Sequence, residues 1–502
     1  MSQSQDLIVA LDQGTTTSRA LIFNHDAEIV ALGQNPFNQY YPQPGWVEHD
    51  ALEILSSQLS AFTEALVVEN IDASRIRGIG ITNQRETTIL WNRKTGEPVA
   101  PAIVWQCRRT AEMVDKLAAD PVVSDRIRAK TGLMPDAYFS ASKIKWLLDT
   151  LPGVREQAEQ GELAFGTVDC WLIWQLTGGK THATDYTNAS RTMLFNIHEG
   201  CWDEWLLDLF DVPAQILPEV YPSAAYYGTT SHTSLPVGIP ICGVSGDQQS
   251  ALFGQACFEE GDTKNTYGTG CFMLVNTGTK ATLSKNQLIT TIIASPPGTT
   301  QLEYALEGSV FVSGALIQWL RDELQIIGTA AETSELAQQV KDSGGVYVVP
   351  AFTGLGAPYW DMDARGAILG LTRGTNRNHL VRAALESMAF SLADLVSAVQ
   401  ADTSLAIDHL KVDGGAAAND FLLQFQSDIL DMDIVRPKNS EATALGAAFL
   451  AGLTSGFWQN TAELKALSAS KAPTLFSPNM TSAERERHLE GWHDAVSRVL
   501  SK

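Results

Sequence analysis

The apolar run Leu7-Ile-Val-Ala-Leu11 enters Asp12-Gln-Gly-Thr-Thr-Thr17, and Arg19 precedes a second apolar run, Ala20-Leu-Ile-Phe23. Apolar run, Gly/Thr turn and apolar run predict a hairpin whose tip is rich in N–H and hydroxyl donors. Such a tip suits a phosphate chain: Gly14 lets the backbone approach, Thr15, Thr16 and Thr17 donate, and Arg19 adds a cation. Asp12, at the strand end, is placed to hold a hydrated Mg2+. A second hairpin of the same kind runs from Gly261 to Gly270 and into Cys271-Phe-Met-Leu-Val275, with Thr269 at its tip. Transfer of a phosphoryl group needs donors around the phosphates, a cation to neutralise them, and a base for the attacking hydroxyl. For each hairpin taken alone, an ordinary turn satisfied by its own threonines is the plainer alternative.

A base is available in Asp247, which ends the apolar strand from Ile239 and precedes Gln248. Its plainer role is a helix N-cap. Arg85-Glu86 lies between two strand candidates, and one guanidinium beside one carboxylate matches the donors and acceptors of adjacent hydroxyls. A surface ion pair is the alternative there. Trp105 and Phe272 could wall the C–H side of a polyol, although aromatics of this kind are more often core.

Several other chemistries are disfavoured. Gly178-Gly-Lys-Thr181 mimics the end of a P-loop, but Trp174 stands where the first glycine belongs. No G-x-G-x-x-G follows a strand, and Gly243-Val-Ser-Gly-Asp247 lacks the last glycine of a serine-hydrolase elbow. No histidine pair has zinc spacing. The formal net charge of −22 disfavours nucleic acid and anionic membrane surfaces as partners, so an anionic ligand must be received by local donors. Six scattered cysteines without a C-x-x-C pair read as reduced structural thiols. The N-terminus lacks the basic and apolar regions of a secretory signal, and no apolar run approaches the about 20 residues that span a bilayer, so the expected compartment is the cytoplasm.

The elements that must position these groups alternate in type. Asp50 and Glu53 open a helix with Leu52, Leu55, Leu59, Phe62 and Leu66 as its apolar stripe. Strands are expected at Ile76–Ile81, Thr87–Trp91 and Ile239–Val244, with a helix starting near Ser245. Leu410-Lys-Val-Asp-Gly-Gly leads as a strand into a Gly-rich turn and a helix from Phe421, and a charged surface helix follows from Thr481 to Leu500. This is an α/β chain, and at 502 residues it exceeds one core. The paired hairpins imply two related domains facing one ligand.

Together these segments resemble the FGGY family of carbohydrate kinases. Gly366 to Glu386 looks like one family signature and Tyr138 to Leu148 like the other. Ala10 to Thr16, Gly80 to Thr88, Trp105 to Arg109, Asp185 to Arg191 and Asn265 to Phe272 are similar to the members that act on glycerol. Members acting on xylulose, ribulose or gluconate look different around Arg85-Glu86 and Trp105.

The resemblance implies two actin-like (ribonuclease H-like) ATPase domains around a central cleft, residues 1–253 with the polyol site and 254–502 with the nucleotide site. It implies ATP-dependent phosphorylation of glycerol to sn-glycerol 3-phosphate, with Asp247 as base. Arg85, Glu86, Tyr138, Asp247 and Gln248 would hold the hydroxyls, with Trp105 and Phe272 against the carbon face. Thr15, Thr16, Thr17, Arg19 and Thr269 would contact phosphates, Gly314, Gln318, Gly415 and Asn419 would line the nucleotide, and Asp12 would serve Mg2+. A homodimer or homotetramer is expected on the same ground. One departure stands out: Tyr226 to Pro240 contains no Arg or Lys, only His232. Similar bacterial chains carry there a Gly-rich, Arg-bearing loop for an inhibitory sugar bisphosphate, so that feedback is expected to be absent or weak. The rivals are a kinase for another polyol or ketose, and an actin-like or chaperone-like ATPase.

Overall fold

The computed structural model describes residues 6–299 and 301–501. Its first sheet contains β1 (Leu7–Gln13), β2 (Thr17–Phe23), β3 (Ile29–Pro36), β4 (Ile76–Asn83), β5 (Gly228–Thr229) and β6 (Pro240–Gly246), in the order β5-β6-β4-β1-β2-β3. β1, β2 and β3 are antiparallel neighbours, while β4 and β6 run parallel to β1 on its other side. β1 is buried along its whole length, as expected of a central strand covered on both faces.

Helix α1 (Ala51–Val68) starts where Asp50 accepts the Leu52 N–H at 2.8 Å, a cap of about 1 kcal/mol. Its buried face departs from the leucine stripe expected above. Ala51, Ile54, Leu55, Gln58, Ala61, Phe62 and Ala65 face inward, whereas Leu52 is exposed. The small alanines let the helix approach β2 and β3 closely, and Gln58 donates to the Arg19 carbonyl at 2.8 Å. Glu53 does not complete a capping box. It binds the Tyr40 hydroxyl at 2.6 Å and the Asn38 N–H at 3.0 Å. By length and composition α1 is apolar enough to cross a membrane, but its apolar face is packed against the sheet.

The long insertion between β4 and β5 has its own apolar cluster and includes α2 (Ser140–Thr150). β6 continues directly into α3 (Asp247–Gly254).

The second sheet repeats the plan of the first. β7 (Thr263–Tyr267), β8 (Cys271–Gly278), β9 (Ile289–Ile292), β10 (Tyr304–Val310), β11 (His409–Gly414), β12 (Asp433–Arg436) and β13 (Thr474–Phe476) lie in the order β9-β10-β8-β7-β11-β12-β13. Again an antiparallel meander, β7, β8 and β10, is followed by strands parallel to its first member, β11 and β12. This shared topology is the ribonuclease H-like duplication that the two hairpins foreshadowed.

Helices α4 (Gly314–Asp322), α5 (Arg377–Asp402) and α6 (Asp420–Leu430) pack with the second sheet in one apolar cluster. α7 (Ala442–Ser455) crosses back and packs on β1, β4, β6 and α3 of the first half. Glycine makes that approach possible: a Cβ at Gly446 would lie 1.9 Å from the Ser250 carbonyl oxygen. α8 (Ser482–Ser497) is less superficial than its charge suggested. Trp492 is buried, stacks on Phe390 and donates to Asp394 at 2.8 Å. All six cysteines are free thiols, five of them buried.

Candidate active site

Three parallel strands set one wall of the site. Gln13, Asn83 and Gly246 sit abreast at the carboxyl ends of β1, β4 and β6. The chain therefore leaves one sheet edge as the Gly14–Thr16 turn, the Gln84–Thr87 loop and α3, the edge where open α/β sheets bind ligands. Glu86 adopts φ 59°, a left-handed conformation that costs a non-glycine residue about 1–3 kcal/mol and clusters at functional sites.

At this edge the charges interlock. Arg85 donates to both carboxylate oxygens of Glu307 at 2.6 and 2.8 Å and to Gln249 Oε1 at 3.1 Å. Its Nε stands 3.2 Å from Asp247 and 3.8 Å from Glu86. Arg191 donates to Glu86 at 2.7 Å and reaches Glu307 at 3.3 and 3.4 Å. Two buried cations thus face two buried carboxylates, and Asp247 stands at their edge with its side chain 32% exposed. Burial opposes the charge of Glu307, yet Arg191 and Arg85 hold its carboxyl down at about 2. Burial pushes the Glu86 carboxyl up against the pull of Arg191 and Arg85. It pushes Asp247 up as well, against Arg85 and Lys264. A carboxylate raised in this way is a stronger base.

Asp247 is not the helix cap. Gly246 occupies the N-cap position of α3, so Asp247 is the first helical residue and its Oδ1 accepts the Gln248 N–H at 2.7 Å. The side chain of Gln248 is fixed from the second half, where the buried Lys264 donates to its Oε1 at 2.5 Å and to Thr266 Oγ1 at 2.9 Å. Burial lowers the pKa of Lys264, with Asp413, Asp247 and Glu307 opposing.

Aromatic groups close the apolar side. Trp105 and Tyr138 meet edge to face at 5.6 Å, and Trp105 Nε1 donates to Thr15 Oγ1 at 3.1 Å. One side chain therefore joins the expected polyol wall to the expected phosphate turn. The loop carrying Tyr138 is held by the buried Lys143, which donates to the carbonyls of Ala137, Tyr138 and Phe139 at 2.7, 2.6 and 3.0 Å. Burial pushes that ammonium down to about 7. Phe272 is half-buried opposite Thr266, and its carbonyl accepts from Lys264 at 3.4 Å.

The Gly14–Thr16 turn is closed by the Gly14 N–H on the Thr17 carbonyl at 2.9 Å, and Thr16 is exposed. Register places Arg19 opposite Asp12. Arg19 is engaged with Asp12 and, at 2.6 Å, with Glu441 beside α7, so it acts first as a brace between the halves. On the second half, Ser313 N–H and Ala315 N–H bind the Thr269 carbonyl at 2.9 and 3.1 Å, stitching the start of α4 to the second hairpin tip. Thr269 and Gln318 are exposed there, and a Cβ at Gly314 would come within 2.5 Å of the Gly268 carbonyl. Gly415 follows β11, whose Gly414 pairs with Tyr267. A Cβ on Gly415 would meet no atom within 4 Å, so its glycine leaves open space that the protein's own packing does not use. Asn419 caps α6 and donates to Thr333 at 3.0 Å.

Among the described residues no group of three His, Cys, Asp or Glu could hold a metal ion. Mg2+ rarely needs one, since it keeps waters and leans on one or two carboxylates plus substrate phosphates. The buried Asp12 at the end of β1 fits that mode.

Sequence reasoning missed Glu307, Gln249 and Lys264 and gave Arg191 no role. Glu307 left a trace, a lone acid inside the apolar strand Tyr304-Ala-Leu-Glu-Gly-Ser-Val310. Gln249 and Lys264 left none: the partners of Gln249 lie 42 and 164 residues away, and Lys264 meets Gln248 only because the start of α3 is brought against β7.

A duplicated ribonuclease H-like sheet with a buried acid–guanidinium cluster between its halves is the architecture of a two-domain, actin-like sugar-kinase fold. The chain belongs to the FGGY family of carbohydrate kinases: the family's N-terminal domain matches residues 7–254 and its C-terminal domain residues 263–455. It is 58% identical over 492 residues to the glycerol kinase of Symbiobacterium thermophilum, covering 98% of each chain. The structure of Plasmodium falciparum glycerol kinase with ADP superimposes with a TM-score of 0.92 at 37% identity, over 99% of each chain. Gluconate kinase from Lactobacillus acidophilus shares the fold, with a TM-score of 0.86 at 21% identity.

Proposed function

We propose that the chain transfers the γ-phosphoryl group of ATP to a terminal hydroxyl of glycerol, giving sn-glycerol 3-phosphate and ADP, in glycerol uptake and catabolism. The observation that carries this reading is the meeting of Arg85, Glu86 and Asp247 at one strand edge beside the Trp105–Tyr138 wall. Glycerol kinases among the relatives, one of them with ADP bound, support the substrate and the nucleotide.

In this reading Arg85 donates to one glycerol oxygen, Glu86 accepts from a neighbouring hydroxyl, and Tyr138 and Gln248 help hold the hydroxyls, while Trp105 and Phe272 cover the C–H face. Asp247 accepts the proton of the attacking hydroxyl. Thr15, Thr16, Thr17, Arg19 and Thr269 offer donors to the phosphates, and Gly314, Gln318, Gly415 and Asn419 line the nucleotide. Mg2+, with Asp12 as its protein ligand, would supply neutralisation of the β- and γ-phosphate charge. Closing the halves excludes water, which would otherwise compete for the phosphoryl group. The resemblance extends the reading to a cytoplasmic homo-oligomer.

The test is ADP release with Mg-ATP in the presence of glycerol, xylulose, ribulose or water alone, for the wild type and Asp247→Asn. Turnover with glycerol only, lost in the variant, is expected. Turnover with a ketose would overturn the substrate and leave the fold intact.

A further inference from the structure

A cavity of about 370 Å³ lies away from the strand edge that carries the candidate active site. One wall is the second sheet, through His409, Lys411 and Val435, and the other is α7, through Ala442, Leu445 and Phe449. Because α7 packs on the first sheet, the cavity sits where the two halves are joined.

Its lining has an unusual sign for a chain of net charge −22. Lys411, Lys438, Lys465 and Lys471 line it against two carboxylates, Glu259 and Asp262. Both carboxylates are engaged locally: Lys465 holds Glu259 at 2.5 Å, and Asp262 accepts the Glu259 N–H at 2.9 Å. Lys411 is turned onto the Gln255 carbonyl at 2.8 Å. Lys471 donates to the Ala27 carbonyl at 3.0 Å, and burial lowers its pKa, with Glu28 and Asp26 opposing and the like charge of Lys438 adding to the shift. The first residue of α7 also lines the cavity, and α7 has no side-chain cap, so its amide donors add to the positive field. Gln255, itself 4% exposed, gives its Nε2 to Asp413 at 2.5 Å, and its Oε1 has no partner among the described residues. The floor is apolar, built from Leu445, Phe449 and Leu467.

We propose that this cavity is a second ligand site, for a small organic phosphate monoester with a short apolar body. The dianionic head meets Lys438, Lys471 and the α7 N-terminus, and the body covers the Phe449 floor. Two short connections lead from the cavity to the cleft. Gln255 touches Asp413, which neighbours Lys264, and Glu441, at the start of α7, holds Arg19 against Asp12.

Calorimetric titration of the full chain with hexyl phosphate, with Mg-ADP and glycerol saturating, tests the site. We expect saturable binding at one site per chain, and at least tenfold weaker binding of inorganic phosphate, which has no apolar body. Lys438→Glu and Lys471→Gln, both outside the catalytic machinery, should each weaken hexyl phosphate at least fivefold while leaving kcat and KM for glycerol unchanged. Absence of saturable binding, or unchanged affinity in both variants, overturns the site. Equal affinity for inorganic phosphate overturns the ligand class.

Discussion

Arg85 and Glu307, separated by 222 residues, share two hydrogen bonds of 2.6 and 2.8 Å across the junction of the two halves. The guanidinium expected to hold a substrate hydroxyl is therefore oriented by a strand of the opposite sheet. Arg191 completes the arrangement by binding Glu86 and approaching the same Glu307. In the proposed reading, substrate recognition and the docking of the halves rest on the same buried charges.

Glu307→Gln should expose that double role. The amide keeps one acceptor but removes the charge that offsets two buried guanidiniums, and disrupting such a pair costs about 3–5 kcal/mol. We expect a lower denaturant midpoint together with at least a tenfold rise in KM for glycerol. A loss of stability with unchanged KM would show that Glu307 serves the fold alone.

Gly314→Ala separates the nucleotide side from the polyol side. The added Cβ would meet the Gly268 carbonyl at 2.5 Å, forcing the second hairpin tip away from α4. Small steric insertions of this kind cost about 1–3 kcal/mol. Steady-state kinetics should show KM for ATP rising several-fold with KM for glycerol nearly constant. An equal rise in both would mean that the tip does not act on the nucleotide selectively.

Acid sensitivity should come in part from His49. It is fully buried, its Nε2 lies 2.6 Å from Gln39 Oε1, and its Nδ1 has no partner among the described residues. Burial pushes its pKa down to about 4, against an unfolded value of about 6.5. Between those values the unfolded chain binds a proton that the folded chain refuses, so stability rises with pH and is lost on acidification, by on the order of 3 kcal/mol in full. Gln39 also donates to the Thr15 carbonyl at 2.8 Å, so His49 is linked through one side chain to the Gly14–Thr16 turn. Unfolding free energies from pH 4 to 7 should flatten in His49→Gln, with a remainder from His182, which burial also lowers to about 4. An identical slope in the variant would remove His49 from the account.

What the sequence made legible was local chemistry. The Asp12 to Thr17 turn, the Asp247 strand end and the Gly414-Gly415 turn could each be read because strand, turn and helix signals lie within a few residues. The helix from Asp50 was legible at its cap but not in its facing. Leucines look like core, yet close packing on β2 and β3 favoured Ala51, Ala61 and Ala65 and left Leu52 in solvent. The buried partners of the site were the least legible. Whether Glu307 in an apolar strand is a stray surface acid or the counterion of Arg85 depends on a contact 222 residues away. In the same way, Arg19 looked like a free cation until register set it against Asp12 and α7 brought Glu441 to its other side.

Asp247→Asn is the sharpest of the substitutions, because the structure separates its two possible roles. A cap residue would lose helix stability on substitution, but here Gly246 holds the N-cap, and an asparagine Oδ1 can still accept the Gln248 N–H. The thermal midpoint should therefore stay close to wild type, and KM for glycerol should move only a few-fold, since Arg85 and Glu86 remain. The rate should collapse, because a positioned general base contributes typically about 10²–10⁴-fold. The pH profile supplies the readout that a structural role could not mimic. Burial raises the Asp247 carboxyl above its ordinary value. Wild-type kcat should then fall on the acid side as that carboxyl takes up its proton, and the residual activity of the variant should lack this acid limb. If the limb persists in the variant, the base is another group.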